Sequence, residues 1–324
     1  IYGSRGANGV ILITTKKGTA EKSSLEFSMF TGVQSAASVV EMLDASEFAA
    51  LHNEMMQNNG QAVNPDYADP SSLGSGTDWL GELFRVAPIQ NYSLSYTGGN
   101  ARSNYYVSGA VMDQQGIVIN TAYRRYTVQF NSDSRIYDWL KFTNNLTLNH
   151  DVKKSGDYNI RNAMAALPTQ DIYNADGSYS GPVGQSSWVG DVVNPIGKAR
   201  LVENKTQGYN AIGNISGEIT LLKELKFKST AGIQASFWDN RTWSPKYNWQ
   251  PTPQASSYLS QQYNKKLTYL WDNYFTYDTR FATDHHLTLL AGSSAQSNRE
   301  DFMTGSAQGF SSDNTQQLIN GTTS

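Results

Sequence analysis

Apolar and polar residues alternate along much of this chain with a period of two. Tyr92, Leu94 and Tyr96 alternate with Ser93, Ser95 and Thr97, and Tyr126, Val128 and Phe130 with Thr127, Gln129 and Asn131. Leu146 and Leu148 alternate with Thr147 and Asn149. Tyr209, Ala211, Gly213, Ile215, Gly217, Ile219 and Leu221 form a small-or-apolar row opposite Asn210, Asn214, Ser216, Glu218 and Thr220, broken only by Ile212. Leu225, Phe227, Ala231, Ile233, Ala235 and Phe237 oppose Lys226, Lys228, Thr230 and Gln234. Leu267, Tyr269, Trp271, Phe275 and Tyr277 oppose Lys266, Thr268, Asp272 and Thr276. Successive side chains on a strand point to opposite faces, so each segment predicts a strand with one apolar and one polar face.

The connections carry as much information as the strands. Tight turns join strands near 89–97 and 105–113, near 124–133 and 140–152, near 206–221 and 225–238, and near 266–279 and 286–299. Much longer links lie near 34–88, 154–204 and 239–264, with an intermediate one near 114–123. Short and long connections thus alternate in step with strand parity. A soluble sandwich has no reason to keep that order. An outer-membrane barrel does, with short periplasmic turns at one end and long extracellular loops at the other. About nine barrel-type strands are counted. An odd number with a free edge on each side does not close, because single-chain barrels use an even number.

One helix is legible within the first long link. Asp44 and Glu47 make a capping-box pair, with Leu43 and Phe48 as the hydrophobic staple. Phe48, Leu51 and Met55 repeat at helical spacing, and Asn58-Asn59-Gly60 ends the run.

Composition fits the same picture. Among 324 residues there are 19 tyrosines, no cysteine and a formal net charge of -3. The near-neutral balance gives no reason to expect nucleic acid as a partner, and the lack of cysteine excludes disulfides and thiolate metal sites. No run approaches the roughly 20 apolar residues that a membrane-crossing helix needs. That finding does not bear on strands, whose signal per segment is weak. No secretory leader is recognisable; the chain opens on Ile1-Tyr2-Gly3 and closes on loop-like Asn320-Gly321-Thr322-Thr323-Ser324, so both ends read as cut.

Candidate chemistry is sparse. Gly3, Gly6 and Gly9 precede the Val10–Thr14 run, whereas a phosphate-cradling loop follows a strand and opens a helix. His285 and His286 are adjacent and would point to opposite faces of a strand, so they cannot chelate one metal. Asn174-Ala175-Asp176-Gly177 lacks the spacing and distal glutamate of a calcium loop and reads as an Asp-Gly turn. No catalytic residues, metal site or cofactor are expected, and no enzyme activity. The aromatics of the long links stand out: Trp188 in one, and Trp238, Trp243, Tyr247 and Trp249 in another. Trp238 fits an interfacial aromatic girdle. Trp188, Trp243, Tyr247 and Trp249 are candidates for stacking on a substrate or anchoring a partner.

Several segments resemble the SusC/RagA family of TonB-dependent outer-membrane transporters. The most specific runs from Ile1-Tyr2-Gly3-Ser4-Arg5-Gly6 through Val10-Ile11-Leu12-Ile13 to Lys17-Gly18 and is similar to the end of the family's plug domain. Others are Leu43 to Phe48, Asp78-Trp79, Phe84 to Asn91, Asp113-Gln114-Gln115-Gly116-Ile117, Tyr123 to Tyr126, Asp138-Trp139-Leu140-Lys141 and Asn194-Pro195-Ile196. The resemblance implies an all-β fold: a partial transmembrane antiparallel β-barrel, preceded by the last strand of a plug. Residues 1–18 would end the plug, and 19–324 would begin a barrel of roughly 22 strands. Residues 9–16, with the continuous Val10-Ile11-Leu12-Ile13 run, would be a strand inside the wall. The resemblance further implies import of oligosaccharides, or of peptides, across the outer membrane. A SusD-like surface lipoprotein would act as the lid, and a TonB complex would act through a segment upstream of residue 1. The chain alone would not transport. A secreted carbohydrate-binding β-protein and a barrel enzyme or adhesin are the rival readings.

Overall fold

The computed structural model describes residues 9, 16, 18, 23–182, 192–281 and 285–322. Among the described residues nine strands are formed: β1 Ser24–Gln34, β2 Ala87–Gly99, β3 Ser103–Gln115, β4 Thr121–Tyr137, β5 Leu140–Ser155, β6 Glu203–Leu222, β7 Leu225–Ser244, β8 Tyr258–Phe281 and β9 His285–Gln308. They make one sheet in chain order, every neighbouring pair antiparallel, with β1 and β9 as open edges.

Register sorts the residues as the alternation requires, because directly paired residues share a face. One row across five strands is Val111, Tyr126, His150, Tyr209 and Phe237. Further rows on that face are Leu148, Ala211, Ala235 and Leu267; Ile215, Ala231 and Trp271; and Ile219, Phe227 and Phe275. The other face is polar and bonded across strands. Asn145 Nδ2 donates to Asn214 Oδ1 at 3.0 Å, Asn210 Nδ2 to Asn149 Oδ1 at 2.9 Å, and Thr206 Oγ1 to Asn240 Oδ1 at 2.9 Å.

No second sheet covers the apolar face among the described residues. Tyr209 is 57% exposed, Ile215 50% and Trp271 59%. A protein in water would bury such a surface, and its extent marks a contact with lipid or another chain. A large antiparallel wall with an apolar face outward and a polar face inward is the geometry of a transmembrane barrel.

Two differences from the sequence expectation have physical causes. The expected strands reach toward the long links only as far as about 238, 266 and 299, where alternation fades, but β7 runs on to Ser244, β8 begins at Tyr258 and β9 runs on to Gln308. Beyond the hydrocarbon no face needs to be apolar, so the ladder continues without its signature. As a result Trp243 belongs to β7 rather than to a loop. Trp238 also shares the polar face with residues such as Asn240, not the girdle face of Tyr209 and Phe237, because it lies one residue out of phase.

The end opposite the tight turns carries the long links, 35–86, 156–202, 245–257 and 309–322, and the shorter 116–120. They contain α1 Ala45–Asn58, α2 Trp79–Leu83, α3 Ile160–Ala165 and α4 Pro195–Leu201. The capping box of α1 is present: Asp44 Oδ1 accepts from the Glu47 N–H at 2.8 Å, and Glu47 Oε2 from the Asp44 N–H at 3.1 Å. Gly60, at φ 64°, follows the helix end. The buried stripe of α1 is not its Phe48, Leu51 and Met55 repeat. Ala45, Ala49, His52 and Met56 face inward, while Leu51 and Met55 are exposed. The helix is pressed against backbone, with Ala45 N–H donating to Ser75 O at 3.1 Å and Ser46 N–H to Gly74 O at 3.1 Å. An approach that close admits alanine rather than leucine.

The plug strand expected over 9–16 lies outside the described residues, apart from Gly9 and Lys16. The Lys16 carbonyl accepts from Asn131 Nδ2 at 2.7 Å, and Asn131 lies on the polar face of β4, 1% exposed.

Candidate functional site

The loops at the long-link end pack into a cap with its own core. Trp79, Leu80 and Leu83 of α2 meet Val118 and Ile119 of the 116–120 link, Ala163 of α3, and Ile196 and Ala199 of α4. Polar bonds tie together links distant in sequence: Trp79 Nε1 donates to Leu167 O at 2.8 Å, and Arg85 Nε to Gly116 O at 3.0 Å. Asn194 is the densest of these ties. Its Oδ1 caps α4 through the Gly197 N–H at 2.9 Å, while its Nδ2 donates to Ile172 O at 2.9 Å and Ser180 O at 3.1 Å. It is fully buried with these needs met.

On this cap lies an aromatic pocket. Asn174, Asp176 and Gly177 form the expected tight turn, with Gly177 at φ 82° and a bridge between Tyr173 and Tyr179 beneath it. Tyr179 lies against Trp249 at 5.1 Å between ring centroids, and Trp249 against Tyr247 at 4.4 Å. Lys198 on α4 completes the group: its Nζ donates to the Tyr247 hydroxyl at 3.3 Å and pairs with Asp157 at 3.1 Å. Burial disfavours the Lys198 charge, yet the Asp157 carboxylate and the Tyr247 hydroxyl more than offset it and hold the amine above its ordinary value. The Ser178 hydroxyl and N–H hold the Asp176 carboxyl below the usual carboxylate range. The cavity is about 660 Å³, lined by Asn174, Asp176, Ser178, Tyr179, Tyr247 and Trp249 among others. Trp249 Nε1 is buried with no acceptor among the described residues. Flat rings beside amides, a carboxylate and a hydroxyl suit a polar ligand with an apolar face, such as a sugar ring.

Of the sequence candidates, Tyr247 and Trp249 are thus brought together. Trp243 sits elsewhere, 3% exposed, in a row with Leu259 and Ala307 under Phe310, whose ring centroid is 5.0 Å away. Trp188 lies outside the described residues. Sequence reading missed Tyr173, Tyr179 and Lys198. The one available signal was that the Asn174–Gly177 turn is flanked by two tyrosines. A second cavity, about 800 Å³, runs between the 39–44 strap and residues 163–168, with exposed Val40, Met42 and Leu43 in its lining. Among the described residues no three His, Asp or Glu converge as metal ligands. His285 and His286 point apart: His285 stacks on Phe281 at 5.5 Å, and His286 bonds Asp278 at 2.9 Å.

Together, the open meander and its loop-built cap define a sector of a transmembrane β-barrel wall with the long loops of that sector. No family profile matches the chain. It is 33% identical to TonB-dependent receptor P26 of Formosa agariphila over 97% of this chain and 32% of that protein. It is 27% identical to TonB-dependent receptor SusC of Bacteroides thetaiotaomicron over 72% of this chain and 25% of that protein. Among solved structures, the RagAB peptide importer in its closed-closed state matches with a TM-score of 0.83 at 23% identity, covering 100% of this chain and 40% of that one. Its open-open state gives a TM-score of 0.84. The chain belongs to the SusC/RagA family of TonB-dependent receptors. It spans about a third or less of the length of these curated relatives.

Proposed function

We propose that this chain supplies part of the wall and the external cap of an outer-membrane, TonB-dependent importer of oligosaccharides. The observation that carries the reading is the uncovered apolar face of Tyr209, Ile215 and Trp271, set behind a polar face bonded from strand to strand. In this reading residues 1–18 end a plug and 19–324 begin the barrel. The Lys16 carbonyl on Asn131, at 2.7 Å, supports that division because it sets Lys16 on the polar face of the wall, which is lumenal in this reading. A large barrel has a polar interior that needs occluding, and energy relayed by a TonB complex would open it.

Sugar is favoured as cargo by the ring pair of Tyr247 and Trp249 beside Asn174, Asp176 and Ser178. Peptide is the second reading, favoured by the fold of the RagAB peptide importer. Tyr247 and Trp249 contact the arriving cargo. Trp243 supports the rim from beneath Phe310, and Trp188 stays a candidate for substrate or partner contact on its sequence alone. The apolar cavity edged by Val40, Met42 and Leu43 suits a SusD-like lipoprotein lid. The rival secreted carbohydrate-binding protein would leave the apolar sheet face in water, which disfavours it.

The test uses the full-length receptor, with Tyr247→Ala and Trp249→Ala compared to wild type. Uptake of labelled oligosaccharides and of peptides is measured alongside lid co-purification. Loss of oligosaccharide uptake with intact membrane recovery is expected. Unchanged uptake of both cargos would remove the pocket from the transport route, and loss of peptide uptake alone would replace sugar by peptide.

A further inference from the structure

We propose that the outer face of β5, β6 and β7, just above the apolar belt, binds the phosphate of a membrane glycolipid through Lys154, Lys205 and Arg241. The inference rests on the barrel reading above. Lys154 pairs in register with Lys205, and Lys205 with Arg241, so three cations stand side by side on one face. Directly opposed side chains have Cβ atoms about 4.5–5.5 Å apart, and like charges there destabilise a sheet. Arg241 is partly neutralised by Glu203 at 3.6 Å and is bonded to Gln316. One diagonal step away, Arg124 is matched by Asp113. Lys154 and Lys205 are exposed and form no ion pair among the described residues. Asp239, on the same face and diagonal to Lys205, forms no ion pair with it among the described residues, so the unpaired positive charge centres on the two lysines, and an anion placed between them would relieve it.

What lies below them selects an amphiphile over a free anion. Down the same strands on the same face come His150 and Tyr209, stacked at 4.3 Å, with Tyr126 on the far side of His150 at 6.3 Å. Tyr209 is 57% exposed. Next along that row is a recess of about 390 Å³, mostly apolar, lined by Tyr209, Phe237, Tyr263 and Phe302, with Lys265 in register with Asp301, and Asp239, at its edge. A tilted strand crosses the hydrocarbon in about 9–11 residues, and β5, counted from Leu140, has passed that length before Lys154. The lysines thus stand at headgroup level, and the aromatic row stands at the top of the acyl chains. The long links lie at this end, which in such barrels faces outward, so the lipid is that of the outer leaflet. Its phosphate would sit on Lys154 and Lys205 while an acyl chain runs down past Tyr209.

The test is native mass spectrometry of the full-length receptor in detergent, titrated with bisphosphorylated lipid A and, separately, with its dephosphorylated form. Wild type is expected to hold the phosphorylated lipid, and Lys154→Gln with Lys205→Gln to weaken it by about thirtyfold, at one surface lysine's contribution each. Binding of the dephosphorylated lipid should be unaffected, and Lys154→Arg with Lys205→Arg should retain the phosphorylated one. Equal affinity of wild type and the glutamine variant would overturn the proposal, as would equal affinity for the two lipids. Displacement by inorganic phosphate at matching concentration would overturn the lipid assignment. Recovery of wild type in the outer-membrane fraction is scored separately, and its failure would overturn the barrel reading itself.

Discussion

The cap and the wall use the same apolar residues under opposite rules. In the cap, Trp79, Leu83 and Ile196 are buried by other parts of the same chain, as in any protein folded in water. In the wall, Tyr209, Ile215 and Trp271 are left open by the chain and must be covered by something else. The cap therefore obtains its stability from its own contacts, where packing and satisfied hydrogen bonds decide it. The wall relies on the strand ladder for its backbone groups and on hydrocarbon for its side chains. One medium surrounds each region, and a substitution should report which.

The largest effect is expected in the cap. Trp79→Ala removes a side chain that is 3% exposed and the bond from its Nε1 to Leu167 O. Aromatic-to-alanine changes in a core cost about 3–5 kcal/mol. The full-length receptor should then expose its long links to limited proteolysis while the barrel keeps its heat-modifiable mobility on gels. Loss of the barrel together with the cap would mean that the two regions are not separable.

Next comes Ile215→Arg, in the wall. Ile215 lies midway along the outward row from Tyr209 to Leu221. An arginine at the bilayer midplane costs about 2–4 kcal/mol, whereas on a water-facing surface it would cost almost nothing. Folding yield into lipid vesicles should fall, with little change in protease resistance of the cap. Unchanged insertion would remove hydrocarbon from the account of this face.

Asn194→Ala is expected to cost about 2 kcal/mol, from the lost cap of α4 and from the Ser180 carbonyl left without the Asn194 donor, while the Ile172 carbonyl keeps the Ser180 N–H. The loss should be confined to the cap and read as faster hydrogen exchange over 172–181 and 195–201. Exchange unchanged there would show that water replaces the side chain. The nearby pair of Lys198 and Asp157 adds a pH arm. Its amine is held above the ordinary lysine value, so its stabilisation is complete at neutral pH and lost only as pH rises through that elevated value. Hydrogen exchange at α4 should be insensitive to this pair between neutral and mildly alkaline pH.

How far the chain could be read from sequence follows the same division. Wall strands were legible because hydrocarbon on one side and water on the other imprint a period of two on every segment, as from Tyr209 to Leu221. The α1 start was legible because a capping box is local, confined to Asp44 and Glu47. The upper ends of β7 to β9 were not, since above the belt no medium enforces alternation. The aromatic pocket was legible only in part. Tyr247 and Trp249 are near neighbours in sequence, but their contacts with Tyr179 and Lys198 depend on how two long links pack, and no periodicity encodes that.

The smallest expected effect tests which face of α1 is covered. Leu51 and Met55 repeat at helical spacing with Phe48, which by pattern alone would form a buried stripe. The structure instead buries Ala45, Ala49, His52 and Met56, and leaves Leu51 55% exposed. Leu51→Gln should then change stability by no more than about 0.5 kcal/mol, as surface substitutions do. Ala49→Gln, at a position with no exposed area, should overpack the contact and cost about 1–3 kcal/mol. Thermal unfolding of the cap, followed by proteolysis of the 35–86 link, would rank the two. If Leu51→Gln proved as costly as Ala49→Gln, Leu51 would be covered in the full-length receptor, and the exposed side of α1 would be an interface rather than a surface.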